Sequence, residues 1–362
     1  MNPIAEIDIN RLIGNFNYID SYIGDSKILA VVKADAYGHG SVKIAKTLQN
    51  IGAFGLCVAM IEELIELRKV GISIPILHLG ILNKDKIDLY QTENNICTIN
   101  SINDIYMVRD FLKGTNKKIY CYLKIDTGMG RLGIPYKKAD SIIQLIKNIN
   151  NIKLFGIYSH FSSADEEDDS FMKLQLKRFK EIINRADDLM PEYRNYHISN
   201  SGGILKNSSI FLNLVRTGIG LYGINNTNIE HDIKPIMKLK APVVFIKNIN
   251  RGDSVGYNRR FTASEDTKVG YLQIGYADGY PLEMINSKTV SYKEKLLNVI
   301  GKVSMDLTSV NFTGFDVKVG DYVTLFGDNS NKLEKVCSNT INSPYSILTG
   351  IGNRVLRKYI ND

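Results

Sequence analysis

A lysine ends an apolar run in AVVKADAYGHG, residues 30–40. Ile28 to Val32 reads as a buried strand, and Gly38 and Gly40 interrupt the chain before a helix expected to begin near Ser41. An ammonium at the edge of a buried strand must have its charge paired, its pKa lowered or its nitrogen bonded covalently. Lys33 is then either a side chain that snorkels to solvent or an amine that condenses with an aldehyde cofactor and is released as a neutral base. Other expected strand ends also carry polar groups: Tyr37, then Lys124, Asp126, Met129 and Arg131 in LKIDTGMGRLG, and further on His160, Ser201 and Arg216. Strand ends of this kind are where a parallel βα barrel assembles its active site.

The loops after the seventh and eighth barrel strands are the usual phosphate corner of such a fold. NSGG (200–203) and TGIG (217–220) fall there, with glycines that admit a close anion and the Ser201 hydroxyl beside them. Gly218, Gly220 and Gly223 also spell G-x-G-x-x-G. A dinucleotide reading fails because the motif lies in the last unit and APVVFI (241–246), about 20 residues on, has no acid for a ribose. One phosphate opposite a strand-end lysine suggests pyridoxal phosphate. Arg216 could serve a structural ion pair or face the pyridine nitrogen. In the second case it can only donate, so the ring stays a weak electron sink that favours proton return over transamination.

The elements that must position these residues repeat along the chain. Leu12, Phe16, Ile19 and Ile23 mark an amphipathic first helix. Apolar strands are expected at 28–32, 54–59, 75–79, 96–99, 119–125, 154–158, 196–198 and 212–215, alternating with helical patterns such as IEELIELRKV and KADSIIQLIKNI. That alternation predicts a (β/α)8 barrel over residues 1–232. From 233 to 362 the pattern turns β-rich and Gly/Asn/Asp-punctuated, predicting a mainly β C-terminal domain.

Composition excludes several classes. With 44% hydrophobic and 23% charged residues and no apolar run long enough for a span, the expectation is a cytoplasmic protein without a membrane segment. The 45 basic residues give a net charge of +7 but are scattered, which argues against nucleic acid. Four cysteines without C-x-x-C spacing and five histidines without an i, i+4 carboxylate pairing suggest neither disulfides nor a metal. His78 and His197 read as core histidines.

The motifs AVVKADAYGHG, LKIDTGMGRLG, NSGG, VRTGIGLYG, VGYNRRFTA, IGYADGY and VSMDLTSV, in this order, resemble the alanine racemases, which are fold-type III pyridoxal-phosphate enzymes. The resemblance implies racemisation of L- and D-alanine, D-alanine being a peptidoglycan precursor, with pyridoxal 5'-phosphate as cofactor. Lys33 would be the Schiff-base lysine and one base. Tyr257 would be the other, reaching the cofactor of the partner subunit, so the active form would be a homodimer. A phenol ordinarily titrates near 10, so its surroundings must help it toward phenolate.

The same resemblance assigns Tyr37, Ser201, Gly218, Ile219 and Tyr345 to the phosphate, Arg216 to the ring nitrogen and His160 to support of Arg216. Arg131 would meet the substrate carboxylate, with Lys124, often carbamylated in the family, orienting it. Met305, beside Asp306, would line the substrate site from the partner chain, and Tyr276 would stand at the entrance. The chain departs from the pattern at Thr217, where proline is common and a looser loop is expected, and at Ser346, where an acid commonly follows the tyrosine. A serine or broad-spectrum amino-acid racemase is the nearest rival. A non-catalytic pyridoxal-phosphate carrier fits less well, because it would lack VGYNRRF and VSMD.

Overall fold

The computed structural model describes residues 1–189, 195–206 and 211–362. They fall into two compact units, one of Ile13–Ala36 and Ser41–Ile233, the other of Met1–Leu12, Tyr37–Gly40 and Lys234–Asp362.

The first unit is a near-closed parallel barrel. Its strands run Leu214–Thr217, Lys27–Val31, Gly55–Val58, Ile76–His78, Asn95–Ile99, Ile119–Asp126, Ile152–Tyr158 and Asn195–His197 in neighbour order. Every neighbouring pair along this path is parallel. Across the remaining seam the Arg216 amide donates to Ser199 O at 2.9 Å. Gly55–Val58 and Ile76–His78 are buried at every position, as expected of strands covered on both faces. All eight expected strands are present. The connections are less uniform than expected: Lys84–Gln91 is a 3-10 helix, and among the described residues no α-helix follows Leu214–Thr217 within the barrel unit. Cys57, Cys97 and Cys121 are free, buried thiols in these strands.

The second unit centres on Met237–Ile249, a 13-residue strand. It pairs antiparallel with Tyr322–Phe326, Thr267–Leu272 and the N-terminal strand Ile4–Asp8. Ile4–Asp8 also pairs in parallel with Leu356–Ile360. Met1–Leu12, expected to belong to the barrel, packs with the β-rich unit. The physical reason is the alternating burial of Ile4–Asp8, with Ala5 and Ile7 buried, which seats it in a sheet whose other strands come more than 200 residues later.

The backbone after Lys33 is unusual. Lys33–Gly38 forms a single helical turn in which Ala34, Asp35, Ala36 and Tyr37 all have φ between 52° and 54°. L-residues in a left-handed helix cost about 1–2 kcal/mol each, so this turn persists only because its surroundings over-determine it. The Ala36 amide donates to Val32 O (2.9 Å), and the Ser41 amide to the Asp35 carboxylate (2.7 Å). Glu63 accepts from the amides of Ala34 (2.6 Å), Ala59 (2.8 Å) and Met60 (2.9 Å), tying the turn to the next strand end.

Gly40 has φ +92°, and a Cβ there would lie 1.9 Å from the Tyr359 hydroxyl. Gly40→Ala is therefore expected to destabilise the fold by about 2 kcal/mol or more. Urea denaturation checks this, an unshifted midpoint being the contrary result.

Candidate active site

Lys33 directly follows the first barrel strand and its neighbour Val32, as the apolar run requires. The carbonyl of Val31 accepts the Tyr222 hydroxyl at 2.9 Å, and the Val32 amide donates to Cys57 O at 2.9 Å. These contacts anchor the strand end beneath the lysine. Burial, followed by the charge of Arg131, lowers the Lys33 pKa below the ordinary lysine value. Arg216 acts in the same sense as Arg131, and Glu63 opposes them.

Arg216 is the penultimate residue of the last barrel strand, Leu214–Thr217, and is buried. Its Nη2 donates to Ser159 O (2.6 Å), Ile198 O (3.2 Å) and His160 Nδ1 (3.1 Å), and its Nη1 to His197 Nδ1 and His197 O. No carboxylate contacts it among the described residues, so the structural ion-pair reading fails. Carbonyl oxygens and two imidazoles solvate the guanidinium instead. It can only donate, so both Nδ1 atoms accept and both rings are neutral with the proton on Nε2. Burial and then Arg216 hold both histidines well below the usual pKa. With both terminal nitrogens engaged, the Nε–H is left without a partner among the described residues. It is a suitable donor for a ring nitrogen.

His197 is buried as expected of a core histidine, and in addition it holds Arg216 and stacks on Tyr158 with ring centroids 4.8 Å apart. Tyr158 is the common platform. The Arg216 guanidinium carbon lies 5.0 Å and Lys124 Nζ 5.7 Å from its ring centroid, and its hydroxyl is 3.1 Å from Thr98 Oγ1. Only their positions near strand ends signalled these two residues, and that signal was weak in a chain with 20 tyrosines.

Lys124 is buried, and burial followed by Arg131 pushes its pKa down to about 8. The loop after it is shaped by Asp126, whose carboxylate accepts the amides of Gly128 (2.9 Å) and Gly130 (3.1 Å). Gly133, with φ +116°, closes the loop, since a Cβ there would lie 3.0 Å from Lys124 O. This fold-back presents Arg131, which is exposed, to Lys33, Lys124 and His160, all of which feel its charge.

At the phosphate corner the Ser201 hydroxyl accepts the amides of Gly218 (3.0 Å) and Gly220 (3.2 Å). Gly218, Ile219 and Gly220 are all buried. Thr217 is buried too, and its Oγ1 lies 3.3 Å from Ser201 Oγ, so this position adds a hydroxyl where slack was expected. The corner and the Arg216 Nε–H fit a phosphorylated ring bound to Lys33: amides and hydroxyls for the phosphate, a donor for the ring nitrogen and an amine of lowered pKa for the aldehyde.

The other expected residues belong to the β-rich unit. The Tyr37 and Tyr345 rings lie 6.1 Å apart. Tyr345 is in the helix Pro344–Gly350, whose cap is Ser343; the Ser346 amide donates to the Ser343 hydroxyl (3.3 Å) and the Ser346 hydroxyl to Ser343 O (2.9 Å). Ser346 thus serves the helix start. Tyr276 and Ala277 donate their amides to Ser304 O and Met305 O, both at 3.1 Å, which brings the Tyr276 turn against Met305 and Asp306. Arg354 bridges Asp278 (2.7 Å) and Asp306 (2.8 Å). Tyr257 opens a 3-10 turn, Tyr257–Arg259, and is 66% exposed.

A parallel barrel with a low-pKa lysine at the end of its first strand and an anion corner after its last two strands, followed in sequence by a mainly β unit, defines a class of two-part barrel proteins suited to a phosphate-bearing aldehyde. Residues 7–226 match the family model for the alanine racemase N-terminal domain, and residues 236–359 that for the C-terminal domain. The chain belongs to the alanine racemase family. It is 35% identical to alanine racemase of Halothermothrix orenii, over 99% of this chain and 96% of that protein. The corresponding figures for alanine racemase of Geobacter sulfurreducens are 36%, 99% and 97%. Among solved structures, alanine racemase of Clostridium difficile 630 superposes with a TM-score of 0.93 at 32% identity, covering 99% of this chain and 96% of that one. Alanine racemase of Bartonella henselae with covalently bound pyridoxal phosphate gives 0.90 at 32% identity, covering 99% and 100%. Among the described residues no helix is long and apolar enough to cross a membrane.

Proposed function

We propose that this protein interconverts L- and D-alanine on bound pyridoxal 5'-phosphate, supplying D-alanine for peptidoglycan, with Lys33 and Tyr257 of the partner subunit as the two bases of a cytoplasmic homodimer. The observation that carries the proposal is one barrel mouth that combines a lysine of lowered pKa, a donor-only arginine and a serine–amide anion corner. The cofactor supplies an aldehyde for the amine and a ring that weakens the Cα–H bond of the amino acid.

The chain's own groups do the rest. On the family's pattern Tyr37, Ser201, Gly218, Ile219 and Tyr345 hold the phosphate, the Ser201 hydroxyl being fixed by the Gly218 amide. Arg131 takes the substrate carboxylate. A neutral fraction of Lys124 near its pKa of about 8 is available to carbon dioxide, and the carbamate would orient Arg131. On the family's pattern Met305, beside Asp306, lines the substrate site of the partner chain, and Tyr276 stands at the entrance. Lys33 and the partner's Tyr257 move protons on opposite faces of the substrate, because inversion requires removal on one side and delivery on the other.

D-alanine formation from L-alanine, measured with and without added cofactor and alongside serine and lysine, tests the proposal. The expected result is cofactor-stimulated D-alanine formation with alanine the preferred substrate. No D-alanine at saturating cofactor would overturn the reading, and faster turnover of serine would move the substrate.

Arg216→Glu is expected to slow racemisation about a hundredfold, since a fixed donor in a preorganised site is lost, and to raise the yield of keto acid. A carboxyl partner would hold a proton on the ring nitrogen and strengthen the electron sink. Arg216→Gln, which offers no such proton, should slow racemisation without raising keto acid. Equal side-product yields in the two variants would refute the weak-sink argument.

A further inference from the structure

Gln175 lies inside the helix Ser170–Leu189 with no solvent exposure, a position where an aliphatic side chain would be the default. Its amide uses all its hydrogen-bonding capacity on two neighbouring loops. Nε2 donates to His160 O (3.0 Å) and Thr127 Oγ1 (3.3 Å). Oε1 accepts the Ser162 amide (3.0 Å) and the Ser162 hydroxyl (3.2 Å). From the same helix, Arg178 Nη1 donates to Thr127 O at 2.8 Å, and Thr127 Oγ1 lies 2.8 Å from Ser159 Oγ.

Both loops carry proposed site residues. Ser159 O and His160 Nδ1 are acceptors for Arg216 Nη2, and Thr127 follows Asp126, which shapes the Arg131 loop. A buried amide retained on a rigid helix, with every position paired across two catalytic loops, is more than a packing residue requires.

We propose that Gln175 is a positioning residue for the racemase reaction, holding the 159–162 backbone so that the neutral His160 ring stays in register with Arg216. The inference rests on the functional reading above. It does not make Gln175 a catalytic residue, because the side chain acts through His160 O and Thr127.

Gln175→Met, similar in volume but unable to donate, tests this in the cofactor-loaded enzyme, alone and combined with His160→Ala. Per folded enzyme, Gln175→Met is expected to lower kcat about tenfold with KM within about twofold. The visible circular dichroism of bound pyridoxal phosphate should change as the ring's surroundings shift. In the double variant kcat should be no lower than in His160→Ala alone, because both substitutions remove one unit.

Unchanged kcat in folded Gln175→Met, or losses that multiply in the double variant, would overturn the inference and leave Gln175 a packing residue. Should Gln175→Met fail to fold, Gln175→Glu, which keeps the acceptor for Ser162, is judged by the same two criteria. A wild-type protein that binds cofactor but forms no D-alanine would sink the functional reading by itself. The dichroism comparison would then still decide whether Gln175 sets the arginine–histidine register.

Discussion

Lys33→Ala is expected to lose the near-visible absorbance band of bound cofactor and to lower racemisation by about a thousandfold or more, since covalent attachment and one base vanish together. The competing amine is Lys124, which is also buried and has a pKa pushed down to about 8. Two features favour Lys33. It lies on the strained left-handed turn held by Glu63 and Asp35. Lys124 instead belongs to a regular strand with its amine over the Tyr158 ring. Lys124→Ala should therefore keep the band and impair substrate binding. A band that survives Lys33→Ala and disappears in Lys124→Ala would transfer the attachment point.

Tyr257→Phe should keep the cofactor and its spectrum while racemisation falls by about a hundred- to ten-thousandfold, the range for loss of one general acid–base group. Mirror-image substrates have equal free energies, so kcat/KM must fall equally in both directions. Exchange of the Cα hydrogen with deuterated solvent separates the two bases: it should persist for the enantiomer whose proton Lys33 takes and disappear for the other. Racemisation at the wild-type rate would refute the role. Tyr257 is 66% exposed on a turn in which Asn258 and Arg259 have φ of 57° and 50°.

By itself the sequence determined the layout. Apolar runs of strand length, regular helical spacing and a late change to β-rich texture were enough for the barrel and the second unit, because burial periodicity is a local property of the chain. It also picked out Lys33, Arg131, His160, Ser201 and Arg216, since charged or hydroxyl groups at strand ends stand out against apolar runs. Tertiary structure alone decided the pairing of Ile4–Asp8 with Met237–Ile249 and Leu356–Ile360, which depends on residues far away in sequence. It alone decided the left-handed turn at 34–37, because neighbouring contacts override the preference of L-residues for negative φ. His197, Tyr158, Glu63 and Gln175 were hidden for the same reason: each is an ordinary residue by type, and its role comes from the groups that folding brings to within hydrogen-bonding or ring-contact distance.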